Sequence, residues 1–172
     1  VTDFIALMER AESLGLRVLL ELVMQHTSDQ HPWFQSARRD RASPYRDYYI
    51  WADAPPEDSP QPVFAGVEDS VWTWDETAGQ FYRHMFYSHQ PDLDLANPRV
   101  RDEVHRVMAY WLRLGVHGFR VDAVPFMIER ARVADPRDDG LWLLKDMHDF
   151  AWRRKRGAIL IKIGLVIYDS FS

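Results

Sequence analysis

"GFRVDAV", residues 118–124, sets an arginine and an aspartate on either side of Val121 inside an otherwise apolar run. A short apolar run bounded by glycine reads as a strand covered on both faces, as in a parallel sheet. Such a strand normally excludes charge. Alternation along a strand puts Arg120 and Asp122 on one face. A guanidinium beside a carboxylate favours the ionised carboxylate and fixes its direction. Two readings follow. The pair either satisfies itself as an internal ion pair, or it holds a carboxylate charged and aimed for chemistry.

The same grammar recurs outward from this stretch. Residues 98–115 precede it as a helix: Asn97 and Pro98 suit N-cap and N1, Val104, Val107, Met108, Trp111 and Leu112 form one stripe, and Gly115 ends it. Earlier, "DFIALMERAESL" (3–14) carries Phe4, Leu7, Met8, Ala11 and Leu14 at helical spacing, with Thr2 or Asp3 to cap it and Gly15 to stop it. "LRVLLELVM" (16–24) follows as a strand. Later, "LWLLKDMHDFAWRRKR" predicts a helix, Gly157 a stop and "AILIKIGLVI" a strand. Helix, glycine, apolar strand, three times over, is the α/β alternation of a parallel sheet.

Residues 27–97 interrupt this alternation. A structureless loop of that length is uncommon in a compact domain, so the segment reads as an inserted subdomain. It holds 13 of the chain's 23 Phe, Trp and Tyr residues, enough for a small core of its own. Within it, "ADAPPEDSPQPV" (52–63) has the proline and acid content of an exposed loop.

Composition bounds the function. The 172 residues are 47% hydrophobic and 27% charged, as in a globular domain. The formal net charge of −5 argues against nucleic acid as partner. No cysteine is present, which removes disulfides and thiolate metal sites. No apolar run reaches the ~18 residues of a membrane span, and a cytoplasmic location is expected. His26 and His31 flank Asp29, and His84 and His89 repeat the step, but neither pair has a compact ligand spacing, so no metal site is expected. The basic run at 153–156, "RRKR", reads as a solvated helix end complementing the helix dipole rather than a polyanion contact.

Groups at the C-terminal ends of parallel barrel strands converge on one site. His26, ending the first strand, and Arg120 with Asp122, ending the second, are therefore expected in one pocket. At this point "LVMQHTSDQHPWF" (22–34), "SPYRDYYIW" (43–51), "SHQPDLDLANP" (88–98) and "GFRVDAVPFMIER" (118–130) resemble the α-amylase family of glycoside hydrolases and transglycosylases. Within that family they are most similar to the branch of trehalose synthases (maltose glucosyltransferases) and oligo-α-glucosidases.

The resemblance implies an α/β fold, a partial (β/α)8 barrel spanning about strands 3–5, with a subdomain inserted after the third strand. It divides the chain into a barrel segment 1–26, the insertion 27–97, a barrel segment 98–161 and a tail 162–172 without likeness to the family. It implies Asp122 as catalytic nucleophile, Arg120 as its support, and His26, Phe86 and Gln90 as sugar contacts. The implied substrate is maltose or a short α-glucan, hydrolysed or transferred through a covalent glucosyl intermediate. A retaining enzyme needs a second carboxyl group about 5 Å from the first to protonate the leaving oxygen. The family's glutamate for that role falls on Ile163, and isoleucine carries no proton to give. Glu21 and Gln25 stand where the family usually has Asp and Asn, which puts in doubt the calcium ligation that the family implies. The expectation is an incomplete, inactive product of a truncated or frameshifted reading frame. A non-catalytic sugar-binding remnant is the alternative.

Overall fold

The computed structural model describes residues 1–135 and 139–163; most of the 162–172 tail lies outside them. The chain forms two compact units, one of Val1–Val23 with the residues from Arg101 onward, the other Met24–Val100.

In the first unit, α1 (Thr2–Ser13) leads to β1 (Leu19–Leu22), the later part of α3 (Pro98–Arg113) leads to β5 (Gly118–Val121), and α5 (Trp142–Arg154) leads to β6 (Ile159–Lys162). The three strands form a parallel sheet in the order β1-β5-β6. β5 is central, and its Phe119 and Val121 are wholly buried. Side chains buried to this degree each stabilise by about 1.5–3 kcal/mol. Gly118 is required where it stands: its φ is +153°, and a Cβ there would lie 1.9 Å from the Ile159 carbonyl oxygen of β6.

Local chemistry explains several departures from the sequence reading. The strands are shorter than the apolar runs, because the flanking residues feed turns. α1 starts one residue earlier, with Val1 as N-cap and no side-chain cap. The buried stripe of α3 runs Val100, Val104, Met108 and Leu112, while Val107 is exposed; the stripe follows i, i+4 steps more tightly than expected. A helix not anticipated in the sequence, α4 (Val124–Ala134), follows β5 almost at once. Its entry is a sharp turn with Ala123 in the left-handed region at φ 58°. Lys155, just past α5, donates to the Gly115 and Val116 carbonyls at 2.6 and 3.0 Å and so closes the C-terminal end of α3.

In the second unit, α2 (Pro32–Arg39) and one 3-10 turn (Arg46–Tyr48) accompany a small antiparallel sheet of β2 (Trp51–Ala52), β4 (Gln80–Arg83) and β3 (Trp72–Asp75), in that order. The His31 ring caps α2 by accepting the Trp33 N–H at 3.2 Å. Phe34 is the hub of the core, with the rings of Tyr49, Trp51 and Tyr82 at 5.0, 5.6 and 5.1 Å. Arg46 is buried beneath them, its guanidinium 3.8 Å from the Trp51 ring centre and bonded to the Ala37 carbonyl at 2.8 Å. The aromatic richness of 27–97 is therefore mainly structural. Phe64 and Trp74 are exceptions, each more than a third exposed.

Candidate active site

The first unit presents the charged group that opened the sequence reading. Arg120 lies in β5, and Asp122 stands one residue past its end. The Arg120 guanidinium is 3.6 Å from the Asp122 carboxylate, so alternation did bring them to one side. Asp122 also accepts the Ala123 N–H at 2.9 Å, which ties the carboxylate to the strained turn. Non-glycine residues in the left-handed region cost of the order of 1–2 kcal/mol and concentrate at functional sites.

The sequence reading missed the partner that Arg120 holds more closely. Glu21 pairs with Arg120 in the β1–β5 register and receives a hydrogen bond from its Nη1. Parallel register makes these neighbours, and the sequence spacing of 99 positions hides it. The side chains of Glu21, Arg120 and Asp122 are 42%, 36% and 44% exposed. β5 thus buries Phe119 and Val121 on one face and leaves Arg120 partly exposed on the other. Ion pairs this exposed contribute only about 0–1 kcal/mol. The cluster is therefore a weak source of stability, and its carboxylates face outward where a ligand can reach them.

β6 flanks the same strand end. Val121 pairs with Lys162, and the Ile163 N–H donates to the Val121 carbonyl at 2.9 Å. Ile163 is therefore the next residue across from the end of β5. Its side chain is an alkyl group, which has no proton to give.

The second unit holds the other candidates. His26 forms an antiparallel bridge with Asp92, and the Thr27 N–H donates to the Pro91 carbonyl at 3.2 Å. This pairing sets residues 26–27 beside 91–92. The His26 ring meets Phe86 edge-on at 5.5 Å. Gln90 closes a turn by donating its N–H to the Tyr87 carbonyl at 2.8 Å, one residue before that pairing. The structure therefore groups His26, Phe86 and Gln90 at one end of this unit. Phe64, which the sequence reading did not single out, extends the group: its ring is 6.2 Å from Phe86 and stacks on Tyr87 at 4.5 Å. Its partial exposure is a tertiary property with no signal in the sequence.

What fixes this end is a buried ion pair. Asp92 is fully buried and accepts Arg83 Nη1 at 2.9 Å and the Met85 N–H at 3.1 Å. Its two oxygens thus hold both ends of the segment leading into Phe86. Calcium takes six to eight oxygen ligands. Here Gln25 supplies one buried amide, with neither Oε1 nor Nε2 bonded, while the buried carboxylate of Asp92 is taken by a guanidinium. Among the described residues no three His, Asp or Glu side chains group around a common point. These donors do not make a calcium site.

Also among the described residues, no helix is long and apolar enough to cross a membrane. Residues 1–153 match the alpha amylase catalytic domain. The chain is 48% identical over 132 residues to a trehalose synthase of Pimelobacter sp., covering 76% of this chain and 23% of that protein. It is 42% identical over 127 residues to an oligo-1,6-glucosidase of Parageobacillus thermoglucosidasius, covering 72% of this chain and 22% of that one. The chain thus spans less than a quarter of the length of these relatives. In three dimensions it is similar to an alpha-amylase from H. orenii, with a TM-score of 0.79 and 34% identity over 94% of this chain and 31% of that one. It is likewise similar to a MutB mutant solved in complex with the substrate sucrose, with a TM-score of 0.77 and 32% identity over 94% of this chain and 31% of that one. A parallel strand–helix sheet ending in an Arg-x-Asp, and a match running through most of the sequence, lead to one conclusion: the chain belongs to the alpha-amylase family of glycoside hydrolases and transglycosylases, of whose TIM-barrel fold it carries a part.

Proposed function

We propose that this chain carries the nucleophile strand of a retaining enzyme that hydrolyses or transfers glucosyl units of maltose or short α-glucans, in the manner of a trehalose synthase. In this reading β1, β5 and β6 are the third, fourth and fifth barrel strands, and 27–97 is the insertion after the third. The barrel segments are 1–26 and 98–161. Asp122 attacks the anomeric carbon. Arg120 keeps it ionised and aimed. His26, Phe86 and Gln90 contact the sugar, the imidazole through hydrogen bonds and the ring by apolar contact with the pyranose face.

The observation that carries the reading is the placement of Asp122: at the C-terminal end of the central parallel strand, 3.6 Å from Arg120, bonded to the N–H of the left-handed Ala123. Carboxylates at that end of a parallel strand face the site in barrel enzymes.

The chain itself is inactive on maltose in this proposal, because Ile163 stands where the second carboxyl group is needed. Glucosyl transfer to Asp122 from maltose requires a proton on the leaving oxygen. Transfer from α-glucosyl fluoride does not, since fluoride leaves unprotonated. The test compares the two substrates in the presence of azide, a nucleophile that needs no general base. Expected are no turnover of maltose, release of fluoride with formation of glucosyl azide, and loss of that release in Asp122→Ala. Fluoride release unchanged in Asp122→Ala would overturn the assignment of the nucleophile.

A second reading is a sugar-binding remnant without chemistry. The partly exposed rings of Phe64, Phe86 and Tyr87 favour it, since aromatic faces suit pyranose rings. Saturable quenching of tryptophan fluorescence by maltose, with no fluoride release from glucosyl fluoride, separates this reading from the first.

A further inference from the structure

The two oxygens of Asp122 are in different circumstances. Oδ1 accepts the Ala123 N–H at 2.9 Å. Oδ2 faces Arg120 Nη1 at 3.6 Å, beyond the range of about 2.7–3.2 Å in which an N–H donates to oxygen. Among the described residues Oδ2 accepts no hydrogen bond. A guanidinium is rich in donors and a carboxylate oxygen is a strong acceptor, so a pair this near would ordinarily close to hydrogen-bond distance.

The group that holds Arg120 back lies on β1. The β1–β5 register sets Glu21 beside Arg120. Glu21 Oε1 accepts from Nη1, the same nitrogen that faces Asp122. On the other flank Arg120 pairs with Ile161 of β6, whose side chain offers no acceptor. Among the described residues Glu21 is thus the hydrogen-bond acceptor that fixes this guanidinium.

The ordinary explanation is a surface ion pair that adds stability. With side chains 42% and 36% exposed, such a pair adds little. Stability alone also gives no reason for the glutamate to engage the one nitrogen that Asp122 would otherwise take.

We infer that Glu21 is a positioning residue: it keeps Arg120 within ion-pair distance of Asp122 but off Oδ2, which leaves Oδ2 as the oxygen that attacks the anomeric carbon. Arg120 so placed still favours the ionised carboxylate through space. A hydrogen bond from it to Oδ2 would engage the lone pair that the attack uses. This role rests on the reading of Asp122 as nucleophile. In the step, the bond from Oδ2 to the anomeric carbon forms as the bond to fluorine in α-glucosyl fluoride breaks, and fluoride leaves with the electron pair. Azide then displaces Asp122 from the same carbon.

The test measures fluoride release from α-glucosyl fluoride at saturating azide, so that attack by Asp122 limits the rate. Glu21→Leu frees Arg120 to close on Oδ2, and kcat should fall about fivefold or more, the scale of one charge-assisted hydrogen bond. KM should change less than about twofold, since the effect is on the attack and not on sugar binding. Glu21→Gln keeps an acceptor oxygen at the same place and should recover at least about half of the lost rate. These are surface substitutions, and circular dichroism confirms that each variant is folded. Release that needs Asp122 and is unchanged in Glu21→Leu overturns the role of Glu21. A change confined to KM does so too, as does a Glu21→Gln chain no faster than Glu21→Leu. Release absent from the parent chain, or kept in Asp122→Ala, overturns the nucleophile reading, and the role of Glu21 falls with it.

Discussion

Asp92→Ala removes one partner of the Arg83–Asp92 pair, in which Asp92 is 0% and Arg83 5% exposed. The substitution leaves a guanidinium buried without its carboxylate and the Met85 N–H without its acceptor. Breaking a buried ion pair from one side costs about 3–5 kcal/mol, and an orphaned N–H adds about 1–3 kcal/mol. The overlap of these effects leaves an expected loss of about 4 kcal/mol, a large share of the ~5–15 kcal/mol that holds an ordinary domain folded. Removing both charges, in Arg83→Met with Asp92→Leu, takes away the buried guanidinium together with its carboxylate and leaves the Met85 N–H without its Asp92 acceptor. That double variant should recover about 2 kcal/mol or more relative to Asp92→Ala. Urea unfolding read by tryptophan fluorescence measures both, since Trp33, Trp51, Trp72 and Trp74 lie in the same unit. A loss below about 1 kcal/mol in the single variant would refute the reasoning, and so would a double variant as unstable as the single.

Other consequences are equally direct. Gln25→Met replaces a buried amide that has no hydrogen-bond partner, so stability should rise by about 1–2 kcal/mol; an unchanged or lower urea midpoint would count against an orphaned amide. His84 is wholly buried, and burial holds its imidazole below the ordinary histidine range. The unfolded chain then takes up a proton near pH 6.5 that the folded chain resists, so stability is full above that pH and falls as pH drops below it. Burial acts in the same direction on His31 and His117. His84→Gln should flatten the decline, and an unaltered pH profile would show that His84 is not its source. Gly118→Ala drives a Cβ into the Ile159 carbonyl and should cost at least about 3 kcal/mol; a thermal midpoint within a few degrees of the parent would contradict that clash.

The sequence by itself determined the repeating helix–glycine–strand order, the pairing of Arg120 with Asp122 on one face, and the character of the aromatic segment. These are local matters. Helix and strand periods act over neighbouring residues, and a glycine that must adopt positive φ marks its own position. The grouping of His26 with Phe86 and Gln90 followed from family motifs rather than from any period. Tertiary structure alone decided which carboxylate Arg120 holds most closely, since Glu21 reaches it through a register between strands 99 positions apart. It decided that Asp92 is a buried anchor, because burial depends on what packs around a residue. It decided that Ile163 lies beside the end of β5, where a ladder and not a motif sets the neighbour.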